Sequence, residues 1–440
     1  MAQEMHSSAK IELEITKRPE RLSGHPLVEK FSAYLYLLCL ISSSSLFGTT
    51  ATWNLDAAGD WNVNGNWTPA TFPNAIDDTA NFLNVITAPR TISLGTGAQN
   101  ITIGTLNIDS GQAYTIQSGL AGNTLIFDVS AGSAVLSVTT VNGSATHSIT
   151  APITLNDTLS ITTSTPTTTI LGTIQGGGGI TKAGAGLLEF SGTSSNTYTG
   201  LTTISAGNLL LNKTAGINAI AGDVQIGGGL LLGAADQIAN TSTVTILGGT
   251  WDLQGFAETI GTLNFNTGGP LTQGGATLTL ASAGTALSMT NRVISGPIAL
   301  TGGGAIVFNP ALNGTAFILD SIDLGTNITT FDIADGTNPT DMSVNGFISN
   351  GGITKIGAGR LRFLGTSPNT YTGLTTVSLG TLLLNKTAGI NAISGDVLIN
   401  GGSLLLGAAD QISNTSTVTI LSSTWDLQSN AETISELIFN

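Results

Sequence analysis

The chain repeats itself, and the repeat decides what kind of fold it can adopt. Residues 179–226 and 352–399 align without a gap at an offset of 173, with 38 identities in 48 positions. One extra residue near Asn400 moves the offset to 174, after which 234–238 matches 408–412 and 251–254 matches 425–428. Inside each long unit runs a shorter rhythm. The triplets Leu209-Leu210-Leu211, Leu230-Leu231-Leu232 and Trp251-Asp252-Leu253 start 21 residues apart, and a second series at 202–204, 224–226, 244–246 and 263–265 is spaced by 22, 20 and 19. Short connectors such as Gly227-Gly228-Gly229 separate the two series.

Two three-residue strands joined by a glycine corner and followed by a polar loop make one coil of about 20 residues. Glycine suits the corner because it takes positive φ without a Cβ penalty. A single coil cannot bury its Leu, Ile and Val side chains. Stacked coils can, each pairing its backbone with the next. The expected architecture is therefore an all-β solenoid. Coiling of residues 52–440 at about 20 per turn gives about nineteen turns and a length of ~90 Å at ~4.8 Å per strand spacing. The competing all-β arrangement, a sandwich, calls for hairpin turns and strands every ~8–12 residues.

Composition supports this reading. Glycine supplies 57 of 440 residues, well above the usual ~7%, and charged residues are 9% where ~25% is usual. Hydrophobic residues still make up 41%, enough to build a core, but aromatics are only 5%, so the core must be thin aliphatic layers. The net charge is −14. Five of the thirteen bases lie in the first thirty residues with five of the twenty-seven acids, leaving eight bases against twenty-two acids beyond. A phosphate-neutralising face needs dense basic residues, so nucleic-acid binding is excluded. The sparse negative charge reads as solubility.

Residues 1–51 read as a leader. The run 31–41, Phe-Ser-Ala-Tyr-Leu-Tyr-Leu-Leu-Cys-Leu-Ile, is too short for the ~20 residues of a membrane helix and fits a signal-peptide h-region. Small residues at 42–45 and Thr49-Thr50-Ala51 offer cleavage near Ala51, and a buried strand or helix is the competing account. Cys39, the only cysteine, lies in the run, and Leu38 before it is wrong for a lipoprotein site, so the mature chain is expected to lack cysteine and any transmembrane helix.

A search for chemistry yields no catalytic, cofactor-binding or metal-binding residue. His6 and His25 lie in the leader. His147 follows the polar stretch Asn142-Gly143-Ser144-Ala145-Thr146 and reads as a solvated turn residue. No nucleophile elbow or phosphate loop occurs. Asp60, Asn62, Asn64 and Gly65 mimic the first half of a calcium loop, but Thr71 stands where a bidentate Glu belongs, and a turn between aromatic strands is the better account. Asp77 and Asp78 would face opposite sides of a strand and share no proton, an objection that a loop would lift. Asp236 and Asp410 occupy copies of one loop and read as turn residues. Arg360 and Arg362 replace Leu187 and Glu189, forming a small basic spot.

Gly179-Ile180-Thr181-Lys182, Gly184, Gly186, Leu188, Phe190, Gly192, Asn196, Tyr198, Gly200, Thr202, Ile204, Gly207 and Leu209 resemble the autotransporter-associated β-strand repeat, also called the passenger-associated transport repeat. A second copy runs from Gly352-Ile353-Thr354-Lys355 through Asn369, Tyr371 and Gly373 to Gly380 and Leu382. Loop insertions before the Asn-x-Tyr-x-Gly element depart from the pattern. The stretch from Trp53 through Trp61 and Trp67 to Phe82 is similar to the opening of passengers in this group. The resemblance implies a right-handed parallel β-helix, exported and displayed at the cell surface, in the outer membrane context, or secreted.

The expected organisation is a leader 1–51, an N-terminal β-helix segment 52–178, a first long repeat 179–351 and a second, incomplete repeat 352–440. The outer-membrane barrel of such proteins is not expected in this chain, and an exposed last turn at Asn440 offers an edge for self-assembly. The expected function is that of a non-enzymatic, cofactor-free stalk or adhesin meeting host surfaces or glycans. The alternative is a polysaccharide-active β-helix enzyme, a lyase or glycosidase.

Overall fold

The computed structural model describes residues 48–440, apart from 120–121, 140–144, 165–166, 267 and 311–313. The h-region 31–41, Cys39, His6, His25 and the Asn142-Gly143-Ser144 part of the expected turn lie outside the described residues. Gly48–Asn440 forms one compact unit. Strand Thr50–Trp53 already belongs to it, with Ala51 buried.

The unit is a β-solenoid of about 16 turns with ~22 residues per turn. Among the described residues there is no α-helix, only a 3-10 turn at Asn64–Asn66. The expected figure of about twenty residues per turn holds, and the expected nineteen turns come down to about 16. The early turns are longer: Thr50 pairs with Thr79, and Thr105 with Val135, 29 and 30 residues on. The extra residues are in loops between strands, which the strand rhythm does not count.

Each turn adds strands to the faces of the coil. The first face is a 19-stranded sheet running from Thr50–Trp53 to Glu436–Phe439. The second is divided into ten strands, ending at Leu271–Thr272, and seven, starting at Val293–Ile294. The third is carried by shorter sheets of four and five strands, and by isolated parallel bridges Ile220–Ile238 and Ile393–Ile412. Neighbouring strands are parallel, which removes the sandwich. The exception is Trp67–Thr68, which runs antiparallel to Thr50–Trp53 and covers the outer edge of the first strand. A covered edge is protected against pairing with another chain.

Three-residue strands bury their ends and leave their middle half-buried on the outer side, as in Val224–Ile226 and Thr202–Ile204. Equivalent residues therefore stack into columns. Leu188 pairs with Leu209, Leu209 with Leu230 and Leu230 with Trp251, all fully buried. Burial of each such side chain contributes roughly 1.5–3 kcal/mol. At the N-terminal end the column is aromatic: Trp53, Trp61 and Trp67 pack with Phe82, which meets Tyr114 at 5.1 Å between ring centroids. Corners need glycine for two reasons. Gly207 and Gly380 have φ of +65° and +68°, and a Cβ at either would run into main-chain carbonyls of the preceding turn.

Candidate functional site

The polar residues of the repeat motif turn inward and tie successive turns together. Asn196 is fully buried, accepts the Ile174 N–H on Oδ1 at 2.9 Å and donates from Nδ2 to the Ala219 carbonyl at 2.8 Å. One side chain thus links three turns. Asn369 repeats this with Ile348 and Ala392 at 2.9 and 2.7 Å. Tyr198 and Tyr371 share hydroxyl hydrogen bonds with Thr202 and Thr375 at 2.7 and 2.9 Å.

The lysines were missed by sequence reasoning. Lys182 Nζ donates to the carbonyls of Ala183, Gly184 and Ala206 at 2.8, 2.9 and 3.2 Å. Lys355 Nζ does the same with Ile356, Gly357 and Leu379 at 2.6, 2.7 and 3.2 Å. Lys213 reaches Ser191, and Lys386 reaches Gly346 and Leu364. All four are buried, and desolvation pulls each amine down to about 8. They are the only lysines beyond residue 30, so every base on the outside of the described coil is an arginine. A second inward device is acidic. Glu258 accepts the N–H groups of Gln237 and Ile238 at 2.9 and 3.1 Å, and burial pushes its carboxyl up to about 8. Glu432 holds Gln411 and Ile412 likewise, and burial raises it too.

His147 corrects an expectation. It opens strand His147–Ile149 and is fully buried, not solvated. Its Nδ1 accepts the Tyr114 N–H at 3.1 Å, its ring stacks on Tyr114, and desolvation lowers its pKa. The alternation of a strand places residue 147 on the same inner side as Ile149. The acid pair is also structural. Asp78 is buried and accepts from Thr49 N–H and hydroxyl and from Asn74 N–H. Asp77 has φ +65° and accepts the Ser130 N–H, and its hydrogen bonds to Ser130 lower its pKa. In the loop that resembles calcium ligation, Asn66 donates to the Asp60 carbonyl and Asn64 accepts the Phe72 N–H. Asp236 and Asp410 sit in turns with φ of +50° and +52°. Arg360 and Arg362 both point outward from strand Arg360–Gly365. Among the described residues, no group of three or more His, Cys, Asp or Glu could hold a metal ion. No helix among them is long and apolar enough to cross a membrane.

What is left outside is a surface of hydroxyls and amides. On the first face Ser160, Thr181, Thr203, Gln225, Thr245, Asn264 and Ser288 pair in register and point outward. Along one edge of this row three turns form an open groove of about 400 Å³, where Asn156, Asp157 and Thr158 face Thr181, Leu201 and Thr203.

These features define a coil whose repeated residues serve stacking, with a polar exterior on which acids outnumber bases. The passenger-associated-transport-repeat family model matches at 180–211 and 353–384, so the chain carries two copies of that repeat. It is similar to the adhesin BmaC autotransporter of Brucella suis biovar 1 (strain 1330), at 27% identity over 292 residues. That alignment covers 62% of this chain and 7% of the relative, so the chain spans a small part of the curated protein it matches. No solved structure matches.

Proposed function

We propose that the chain is a non-enzymatic, exported passenger-like coil, held at the cell surface or released from it, that acts as a stalk or adhesin. The observation that carries this reading is the inward use of the motif's own polar residues. Lys182, Asn196 and Tyr198 are buried and hydrogen-bonded within the coil, which leaves them for architecture rather than for substrate. The outer faces offer many shallow hydroxyl and amide contacts, which suit adhesion over a length. The printed name of the relative, an adhesin autotransporter, agrees with this class. We place any leader cleavage upstream of Thr49, because Thr49 donates twice to the buried Asp78.

The experiment sets adhesion against turnover. Beads coated with the purified chain are applied to cultured epithelial cells, and the same chain is incubated with polygalacturonate and hyaluronate. The expected result is bead retention above an albumin control and no new chain ends. Release of sugar ends by the chain would make it a polysaccharide-active enzyme and overturn the reading.

A further inference from the structure

The groove over the first repeat has the chemistry of a sugar site. Its floor is glycine: Gly178 lies so close to the Asp157 carbonyl, and Gly200 to Gly178, that no Cβ fits at either. A floor without side chains lets a flat ring approach the backbone. Above it stand groups with hydrogen-bonding capacity to spare. Asp157 accepts the Val129 N–H on Oδ2 at 2.9 Å, which leaves Oδ1 for a ligand. Asn156 donates from Nδ2 to Asp128 at 2.6 Å and keeps its own Oδ1. Thr158, Thr181 and Thr203 add hydroxyls, which both donate and accept, and the exposed Leu201 gives one apolar wall for a C–H face. A volume of about 400 Å³ lies within the ~300–1,000 Å³ of small-ligand sites. The nearest lysine, Lys182, turns its amine into the core, so nothing in the lining neutralises an acidic sugar beside Asp157.

The second repeat supplies an internal comparison. Leu159 pairs with Ile180 and Thr329 with Ile353, so Thr158 and Ile328 hold the same station in the two copies. Asn327 replaces Asp157 there, and the Ile328 side chain lies against the position of Gly352, the counterpart of Gly179 in the groove lining. A branched apolar side chain thus stands in one copy where a hydroxyl stands in the other.

We propose that the groove bounded by Asp157, Thr158, Thr181 and Thr203 is a binding subsite for a short stretch of neutral glycan, with the carboxylate accepting from vicinal hydroxyls. This rests on the adhesin reading and names the chemistry of its target. The test is ligand-observed saturation-transfer NMR on the full chain, with lactose, cellobiose and chitobiose as probes and digalacturonate as the anionic control. Binding of at least one neutral disaccharide is expected, weakened at least tenfold in both Asp157→Ala and Thr158→Ile, with digalacturonate silent. Thr158→Ile copies a residue that the second repeat already accommodates, so loss of binding there does not come from loss of fold. Silence of all three neutral probes, unchanged affinity in either variant, or preference for digalacturonate overturns the proposal. Bead adhesion in the absence of any sugar binding would remove the groove and leave the adhesin reading standing.

Discussion

The side-chain carbonyl of Asn196 accepts the main-chain N–H of Ile174, one turn earlier, at 2.9 Å, deep in the coil. With the amide's other end on Ala219, the residue works as a rivet through three turns. Asn196→Ala strips a partner from two buried main-chain groups, at about 1–3 kcal/mol for each orphan. In a stack whose stability is a sum of neighbouring interfaces, the damage stays local. Hydrogen exchange is therefore expected to accelerate at the Ile174 amide while Ile348, served by Asn369, keeps its protection. Equal exchange at Ile174 in variant and parent would show that the bond contributes nothing.

Amine-reactive labelling gives a sharper readout of the inward lysines. Lys182, Lys213, Lys355 and Lys386 are buried with their Nζ atoms on main-chain carbonyls. Native chain treated with acetylating reagent at pH 8 is expected to carry no acetyl group at these four positions by mass spectrometry, and to gain all four after unfolding in guanidinium. Labelling of any of them in the native state would contradict the packing.

The corner glycines separate two costs. Gly207 and Gly216 both have positive φ, +65° and +78°, but a Cβ on Gly207 meets the carbonyls of Gly184 and Gly186, while one on Gly216 meets nothing. Gly216→Ala should lose only the conformational term, about 1–2 kcal/mol. Gly207→Ala adds a displacement of the preceding turn and should lower the urea midpoint more. Equal midpoints for the two variants would argue against close stacking at this corner.

The parallel coil was legible because the triplets at 209–211, 230–232 and 251–253 recur at a nearly fixed interval, and few folds tolerate strands so short. Turn length was less so: loops such as those between Thr105 and Val135 obey no period, since nothing stacks on them residue for residue. His147 was misread because three residues cannot phase a strand by themselves, and the Asn-Gly before it reads as a turn. Lys182 could have been found. The alternation Ile180-Thr181-Lys182 puts the lysine beside Ile180 on the inner side. Only the general rarity of buried lysine argues otherwise. The groove was not legible at all, because its walls come from three turns brought together by stacking.

Glu258 is expected to make the stability of the coil depend on pH. Its carboxyl is pushed up to about 8 by burial, against a usual value of 4.5 in an unfolded chain. Between those values the folded form keeps a proton that the unfolded form has lost, so stability falls as pH rises. The contribution is complete below about pH 4.5 and gone above about pH 8. Glu258→Gln holds the side chain neutral throughout and is expected to flatten the fall of Tm across that window, whereas Glu432→Gln, at a partly buried copy of the same station, should flatten it less. Thermal unfolding followed by circular dichroism from pH 4.5 to 8 checks this. A slope unchanged by Glu258→Gln would mean that the Gln237 and Ile238 N–H groups alone hold the buried carboxylate ionised, and the coil would owe its pH response to other groups.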